Sequence, residues 1–185
     1  HFSSKAIEQT VNTKKAFFIH CNVADNLFIY NVENCIHTIL KNKNLTQFHS
    51  CLTFVIKELI DNANKANLKR VFFQKNNFNI NDRVEYEKGV TLFTQSLRAG
   101  EKNLYHRIIE DNFYIRVFFI GYADSELRIE IVNNSLLTEE EKKRVSEKQK
   151  NYLKIQSIHE KSLGEMDETE GAGMGLFLSL KVLHR

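Results

Sequence analysis

Two alternating apolar runs constrain this chain more than any other feature. Phe113–Gly121 carries Ile115, Val117 and Phe119 at every second position, and Glu126–Asn133 does the same with Leu127, Ile129 and Ile131. A period of two marks a half-buried strand, and the four residues Tyr122–Ser125 between the runs suit a hairpin turn. Earlier in the chain the period changes. Phe28, Val32, Cys35, Ile36, Ile39 and Leu40 recur at helical spacing behind Asp25, a good N-cap, which predicts a helix over about 26–43. A hairpin through Leu27–Val32 is the competing reading there. Phe48, Leu52, Val55, Leu59 and Ala63 predict a second helix over about 46–67. Ala16–Cys21 (AFFIHC) and Leu68–Gln74 (LKRVFFQ) read as further strands, on their β-branched and aromatic content. The mixture predicts an α+β fold.

The remaining segments are polar. From about Lys75 to Asn112 two short amphipathic patches, Val90/Phe93/Leu97 and Leu104/Ile108/Ile109, are split at Gly100, which predicts a helical insertion. Thr138–Glu170 is dense in Glu and Lys and predicts a solvated helix over about 138–156 with a mobile remainder. A glycine-rich turn, Gly171–Gly175, then leads into the apolar stretch Leu176–Leu183. At 185 residues the chain suits one domain, or one domain with a long insertion.

Charge narrows the function. There are 26 basic and 23 acidic residues, a net charge of +3, which excludes a strongly cationic nucleic-acid binder though not a local basic patch. No nucleic-acid partner is expected. No apolar run approaches the length of a membrane span. Cys21, Cys35 and Cys51 are too widely spaced for a zinc site and read as reduced cytoplasmic thiols, with Cys35 and Cys51 facing the core. The start, His1-Phe2-Ser3-Ser4, has no signal-peptide apolar region, and without an initiator Met the expectation is a processed or recombinant fragment.

Three constellations carry potential chemistry. On the second helix, Glu58, Asn62 and Lys65 stand at i, i+4 and i+7, within about 40° of one another, so a carboxylate, a carboxamide and an ammonium share one stripe. Alone, that stripe reads equally as a solvated helix face. Glu170-Gly-Ala-Gly-Met-Gly-Leu176 sets three glycines ahead of an apolar helix, where backbone N–H groups can cradle phosphates. It fits neither a dinucleotide-fold turn, since a charged loop rather than a strand precedes it, nor a P-loop, since no Gly-Lys-Ser/Thr follows. Ile129–Ser135 is a strand ending in Asn133, Asn134 and Ser135, residues that also favour a plain turn.

Together and in this order, the three resemble the GHKL superfamily of ATPases: gyrase-type topoisomerase subunits, heat-shock chaperones, MutL-type mismatch-repair proteins and sensor histidine kinases. Glu58-Leu-Ile-Asp-Asn-Ala63 looks like the N box, Ala63-Asn-Lys65 is similar to its histidine-kinase version, and Gly171-Ala-Gly-Met-Gly-Leu176 looks like the second glycine box. The resemblance covers about residues 46–183 and is closest to histidine-kinase-like ATPase domains lacking the phosphoacceptor helix. It implies a single domain over 1–185, a two-layer α/β sandwich of the Bergerat type. Its mixed, mostly antiparallel sheet would carry helices on one face, with the insertion at about 75–112 and an ATP lid at about 136–170. The family adds strands after the second glycine box. The given chain stops at Arg185, so either it is cut short or its sheet is one element poorer.

The resemblance also implies a site. ATP or ADP would lie between the N-box helix and the sheet, with Asn62 holding Mg²⁺ through its carbonyl oxygen and Lys65 approaching the phosphates as a point charge. Gly171, Gly173 and Gly175 would donate backbone N–H groups, and Glu58 would be the general base. In the first glycine box Asn133 and Ser135 stand where the family has Asp and Gly. An Asn carboxamide oxygen accepts from the adenine amino group without charge assistance, so Asn133→Asp is expected to strengthen binding by roughly 1 kcal/mol. His20, His37 and His49 lack the phosphoacceptor pattern. The implied activity is ATP hydrolysis or phosphoryl transfer to a protein in a regulatory pathway. The alternative is a nucleotide-dependent module that binds a partner protein with negligible catalysis.

Overall fold

The computed structural model describes residues 4–100, 103–121 and 127–156. The chain is α+β. Its described elements run α1 (Ser4–Asn12), β1 (Phe17–Cys21), α2 (Asn26–Asn42), a 3₁₀ turn (Thr46–Phe48), α3 (His49–Lys75), α4 (Arg83–Arg98), α5 (Asn103–Glu110), β2 (Ile115–Ile120), β3 (Arg128–Asn133) and α6 (Glu139–Gln156). Two compact units emerge. Of the described residues the first holds those within 4–67 and 108–134, and the second those within 68–107 and 135–156.

In the first unit the three strands form an antiparallel sheet in the order β1-β2-β3. The strand alternation read from the sequence sets its two faces. Ile19, Ile115, Val117 and Phe119 are buried on one face, with Phe17, Cys21, Ile129 and Ile131 partly so. They share one core with Ile7 and Val11 of α1, the Phe28–Leu40 stripe of α2, and Ile56, Ile60 and Ala63 of α3. The helix over 26–43 is present with the expected cap: Asp25 accepts from the Phe28 N–H at 2.7 Å. The turn expected at Tyr122–Ser125 lies outside the described residues, as does everything from 157 onward.

The sequence reading of Leu68–Gln74 as a strand is wrong. That segment is the last third of α3, a continuous helix of 27 residues. No glycine, proline or capping signal interrupts the chain at Ala66–Leu68, so nothing stops the helix there. Leu68, Val71 and Phe72 fall at helical spacing and are buried, as is Phe73. In the second unit Phe72 meets Phe93 at 5.7 Å, and Phe73 meets Tyr86 at 5.8 Å and Phe78 at 5.9 Å between ring centroids. Aromatic content that suits a strand serves a helix when its partners are helical, because packing decides over intrinsic preference.

The two amphipathic patches form α4 and α5, parted at Gly100 with φ +70°. In α4, Gly89 lies against Phe73. A Cβ there would come within 2.5 Å of that ring's Cζ. Gly89→Ala should therefore destabilise by about 1–3 kcal/mol through overpacking, although alanine is the better helix former by roughly 1 kcal/mol. A lower urea midpoint checks this, and a raised one refutes it.

Three helices end alike. Asn44 after α2, Asn77 after α3 and Asn112 after α5 adopt φ of 56°, 54° and 55°. The next N–H bonds six-to-one back into the helix: Leu45 to Leu40 O at 2.8 Å, Phe78 to Phe73 O and Phe113 to Ile108 O at 2.9 Å. This is the Schellman stop, with asparagine in the place glycine usually takes.

Candidate functional site

The core-facing stripe of α3 differs from the one read in the sequence. Phe48 is 52% exposed, while Leu52 and Leu59 are only half-buried. Val55 and Ala63 of the expected stripe are buried, and the set that faces the sheet is Ile56, Ile60, Ala63 and Asn67. On a helical projection their mean direction lies about 170° from Glu58, with Leu59 at about 100°. The Glu58/Asn62/Lys65 stripe thus points away from the sheet. The space directly between α3 and the sheet is filled by core side chains.

Glu58 and Asn62 are both half-buried, and neither makes a side-chain hydrogen bond or ion pair among the described residues. Lys65 does: its Nζ lies 2.6 Å from Asp61 Oδ2, with the two side chains 38% and 54% exposed. An exposed i,i+4 pair of this kind contributes about 0.2–0.5 kcal/mol, so a phosphate can displace it.

Asn133 ends β3 on the core-facing side, in register with Ile115. Its Nδ2 donates to Asn67 Oδ1 at 3.1 Å and more weakly to Ala63 O at 3.4 Å, both on α3. Asn67 is fully buried and donates in turn to Tyr114 O at 3.1 Å. Asn134 Oδ1 accepts from the Tyr114 N–H at 2.8 Å, and its Nδ2 donates to Asn112 O at 3.1 Å. Asn22 Nδ2 donates to Phe113 O at 2.8 Å. Four carboxamides thus satisfy the backbone where α5 enters β2 and tie the end of β3 to α3. This network uses the Nδ2 of Asn133 and leaves Oδ1 as an acceptor. Asn67, Asn22 and Asn134 had no signal in the sequence beyond being asparagines. Their role depends on the sheet register.

Ser135 follows directly, half-buried, and belongs to the second unit. Gly171, Gly173 and Gly175 lie outside the described residues, as does 157–170 of the expected lid. The part of the lid that is described is anchored. Thr138 and Glu141 form a reciprocal capping box at the start of α6, with Thr138 N–H to Glu141 Oε2 at 2.9 Å and Glu141 N–H to Thr138 Oγ1 at 3.2 Å. Glu141 also takes both basic side chains that follow one another on α3. Its Oε1 is 2.8 Å from Lys69 Nζ, and its Oε2 is 2.5 Å from Arg70 Nη2. Arg70 donates as well to Leu136 O at 2.5 Å, and Lys69 to the Tyr86 hydroxyl at 3.3 Å. Burial is the strongest influence on the Glu141 carboxyl and alone would raise it. Arg70, Lys69 and the Thr138 N–H together outweigh burial and hold it at about 2. The Thr138-x-x-Glu141 spacing was the available sequence signal for this clamp.

Other chemistry is sparse. Cys35 is buried and Cys21 and Cys51 partly so. Burial, joined by Asp25 for Cys21, pushes both the Cys21 and Cys35 thiols up to about 12, which removes them as nucleophiles near neutral pH. Among the described residues no group of three His, Cys, Asp or Glu side chains could hold a metal, and no helix is long and apolar enough to cross a membrane.

No family model matches the chain, and no solved structure matches it significantly. Over 134 residues, 72% of the chain, it is 30% identical to an uncharacterized protein of Treponema pallidum (strain Nichols). The aligned stretch is 26% of that protein, so the chain spans about a quarter of this curated relative.

Proposed function

We propose that the chain carries an ATP-binding domain of the GHKL, histidine-kinase-like class, built on the two-layer Bergerat sandwich, and that it hydrolyses ATP or transfers its phosphoryl group to a protein. The observation that carries this reading is Asn133. Its amide nitrogen is committed to α3, and its carbonyl oxygen remains an acceptor beside Ala63. From there the flank of α3 runs through Leu59 to Asn62 and Glu58, two polar side chains without partners among the described residues. An acceptor for an exocyclic amine, an apolar strip and two unpaired polar groups are what a purine nucleotide requires along its length.

The residues fit the roles. Asn133 Oδ1 accepts from the base amino group. Asn62 offers a neutral oxygen to Mg²⁺. With no carboxylate cage among the described residues, the ion's remaining ligands would be phosphate and water oxygens, the manner in which Mg²⁺ is usually held. The bound ion supplies charge neutralisation at the phosphates. Lys65 exchanges Asp61 for phosphate, Gly171, Gly173 and Gly175 supply N–H donors, and Glu58 takes or orients a proton of the attacking hydroxyl or water. A nucleotide-dependent module that binds a partner protein is the second reading. It is favoured by the uncharged Asn133 and distinguished by turnover.

Calorimetry with Mg-ATP and steady-state phosphate release test both. Glu58→Ala should leave affinity within a few-fold and cut release by roughly 10²-fold, the scale of a lost general base. Asn62→Ala should cost about 1–3 kcal/mol of Mg-dependent affinity. No heat and no thermal shift at millimolar Mg-ATP refutes nucleotide binding. Binding without release above background leaves the partner-binding module.

A further inference from the structure

The sheet face turned away from the core carries an unusual set of side chains. The register aligns Phe18, Phe118 and Glu130 in one row and His20, Arg116 and Val132 in the next. Phe18 is 52% exposed and Val132 39%. The rings of Phe18 and Phe118 lie 5.2 Å apart, and those of His20 and Tyr114 5.6 Å. Between these pairs lies the guanidinium of Arg116, 4.3 Å from the Tyr114 ring centroid and 5.5 Å from that of Phe18. Its Nε donates to His20 Nδ1 at 3.4 Å. Among the described residues no carboxylate pairs with Arg116, and Glu130 is engaged by Arg128. The cation is therefore held beside the Tyr114 and Phe18 rings, with no carboxylate partner among the described residues.

We propose that this face binds single-stranded nucleic acid, bases stacking on Phe18 and Phe118 and a phosphate pairing with Arg116. Charge selects this occupant. An apolar helix laid on the face would bury Arg116 without a partner, at several kcal/mol. A phosphodiester brings the missing anion and rings that stack on any π-face. Size agrees. Three strands about 5 Å apart and five or six residues long offer roughly 300 Å², well short of the ~800 Å² per partner of a stable protein interface. It is enough for the two or three bases that a sheet of this kind stacks. A chain of low net charge can hold such a local site, with weak, salt-sensitive binding. The inference is independent of ATP binding.

The test is fluorescence anisotropy with labelled ten-nucleotide oligo-U and oligo-dT at 50 mM salt. Both should bind, and a preference for oligo-U would show that the 2′-hydroxyl is read. Phe18→Ala should weaken binding at least fivefold, and so should Phe18→Leu, which keeps the apolar area and loses the ring. Arg116→Gln should weaken binding and lower the salt slope by about one. Phe18 is half exposed, so these variants should melt within a few degrees of the parent. Absence of any anisotropy change at 500 µM protein overturns the proposal. So does undiminished binding by Phe18→Leu, or a dimer seen by sedimentation that Phe18→Ala abolishes while no oligonucleotide binds.

Discussion

Replacing Glu141 with alanine should destabilise the second unit by about 3–5 kcal/mol. The side chain is 8% exposed and compensates two cations, Lys69 and Arg70, whose side chains are 11% and 13% exposed. Truncation takes the carboxylate away from two nearly buried cations, the costliest way to break an ion pair. It also removes half of the capping box at the start of α6. Glu141→Gln keeps the shape but loses the charge and turns one of the two accepting oxygens into a donor, and should fall between the two. The pH dependence has a defined sign. The folded-state pKa of about 2 lies below the ordinary 4.5. The contribution of Glu141 is therefore fully present above pH ~4.5 and lost as pH falls through about 2, on the order of 3 kcal/mol in all. Urea titrations at pH 7 and pH 3 should show the parent weakening on acidification and Glu141→Ala weakening less. Equal acid sensitivity would place the acid-labile group elsewhere.

Asn133→Asp should destabilise the first unit by about 2–3 kcal/mol and weaken nucleotide binding. From sequence alone the opposite is expected, since a carboxylate accepts more strongly than a carboxamide. The contacts reverse it. Asn133 is a donor to Asn67 Oδ1 and Ala63 O. Asn67 cannot turn its own amide round without giving up Tyr114 O. An aspartate would set negative charge against two oxygens, with the donors lost and the buried Asn67 acceptor left unmet. Thermal melts of Asn133→Asp and Asn133→Ala at pH 7 decide the point. The aspartate variant should be the less stable of the two, and a gain in Mg-ATP affinity would refute this account.

What could be read from the sequence follows the reach of each signal. Asp25, the alternation of Ile115–Phe119 and Gly100 act within a few residues, and α2, β2 and the break between α4 and α5 came out as expected. Leu68–Gln74 failed because its aromatic rings find their partners 13 and 21 residues later, on Tyr86 and Phe93. The face of α3 was misjudged by roughly 70° because Phe48 and Leu52 are apolar without being central, while the polar Asn67 is fully buried. The shared stripe of Glu58 and Asn62 on α3 was legible from their spacing. The acceptors that orient Asn133 were not, since they lie on α3, 66 and 70 residues away in the sequence.

The helix ends bear on how this protein ages. It contains 19 asparagines, each a possible point of deamidation, in which the next peptide nitrogen attacks the side-chain carbonyl. That reaction is fastest when glycine follows, and no asparagine here precedes glycine. At Asn44, Asn77 and Asn112 the attacking nitrogen belongs to Leu45, Phe78 or Phe113 and is held in the hydrogen bond that closes the helix. The bond that stops each helix thus also withholds the nucleophile, and slow chemical decay should spare these three termini for as long as the helices stay wound.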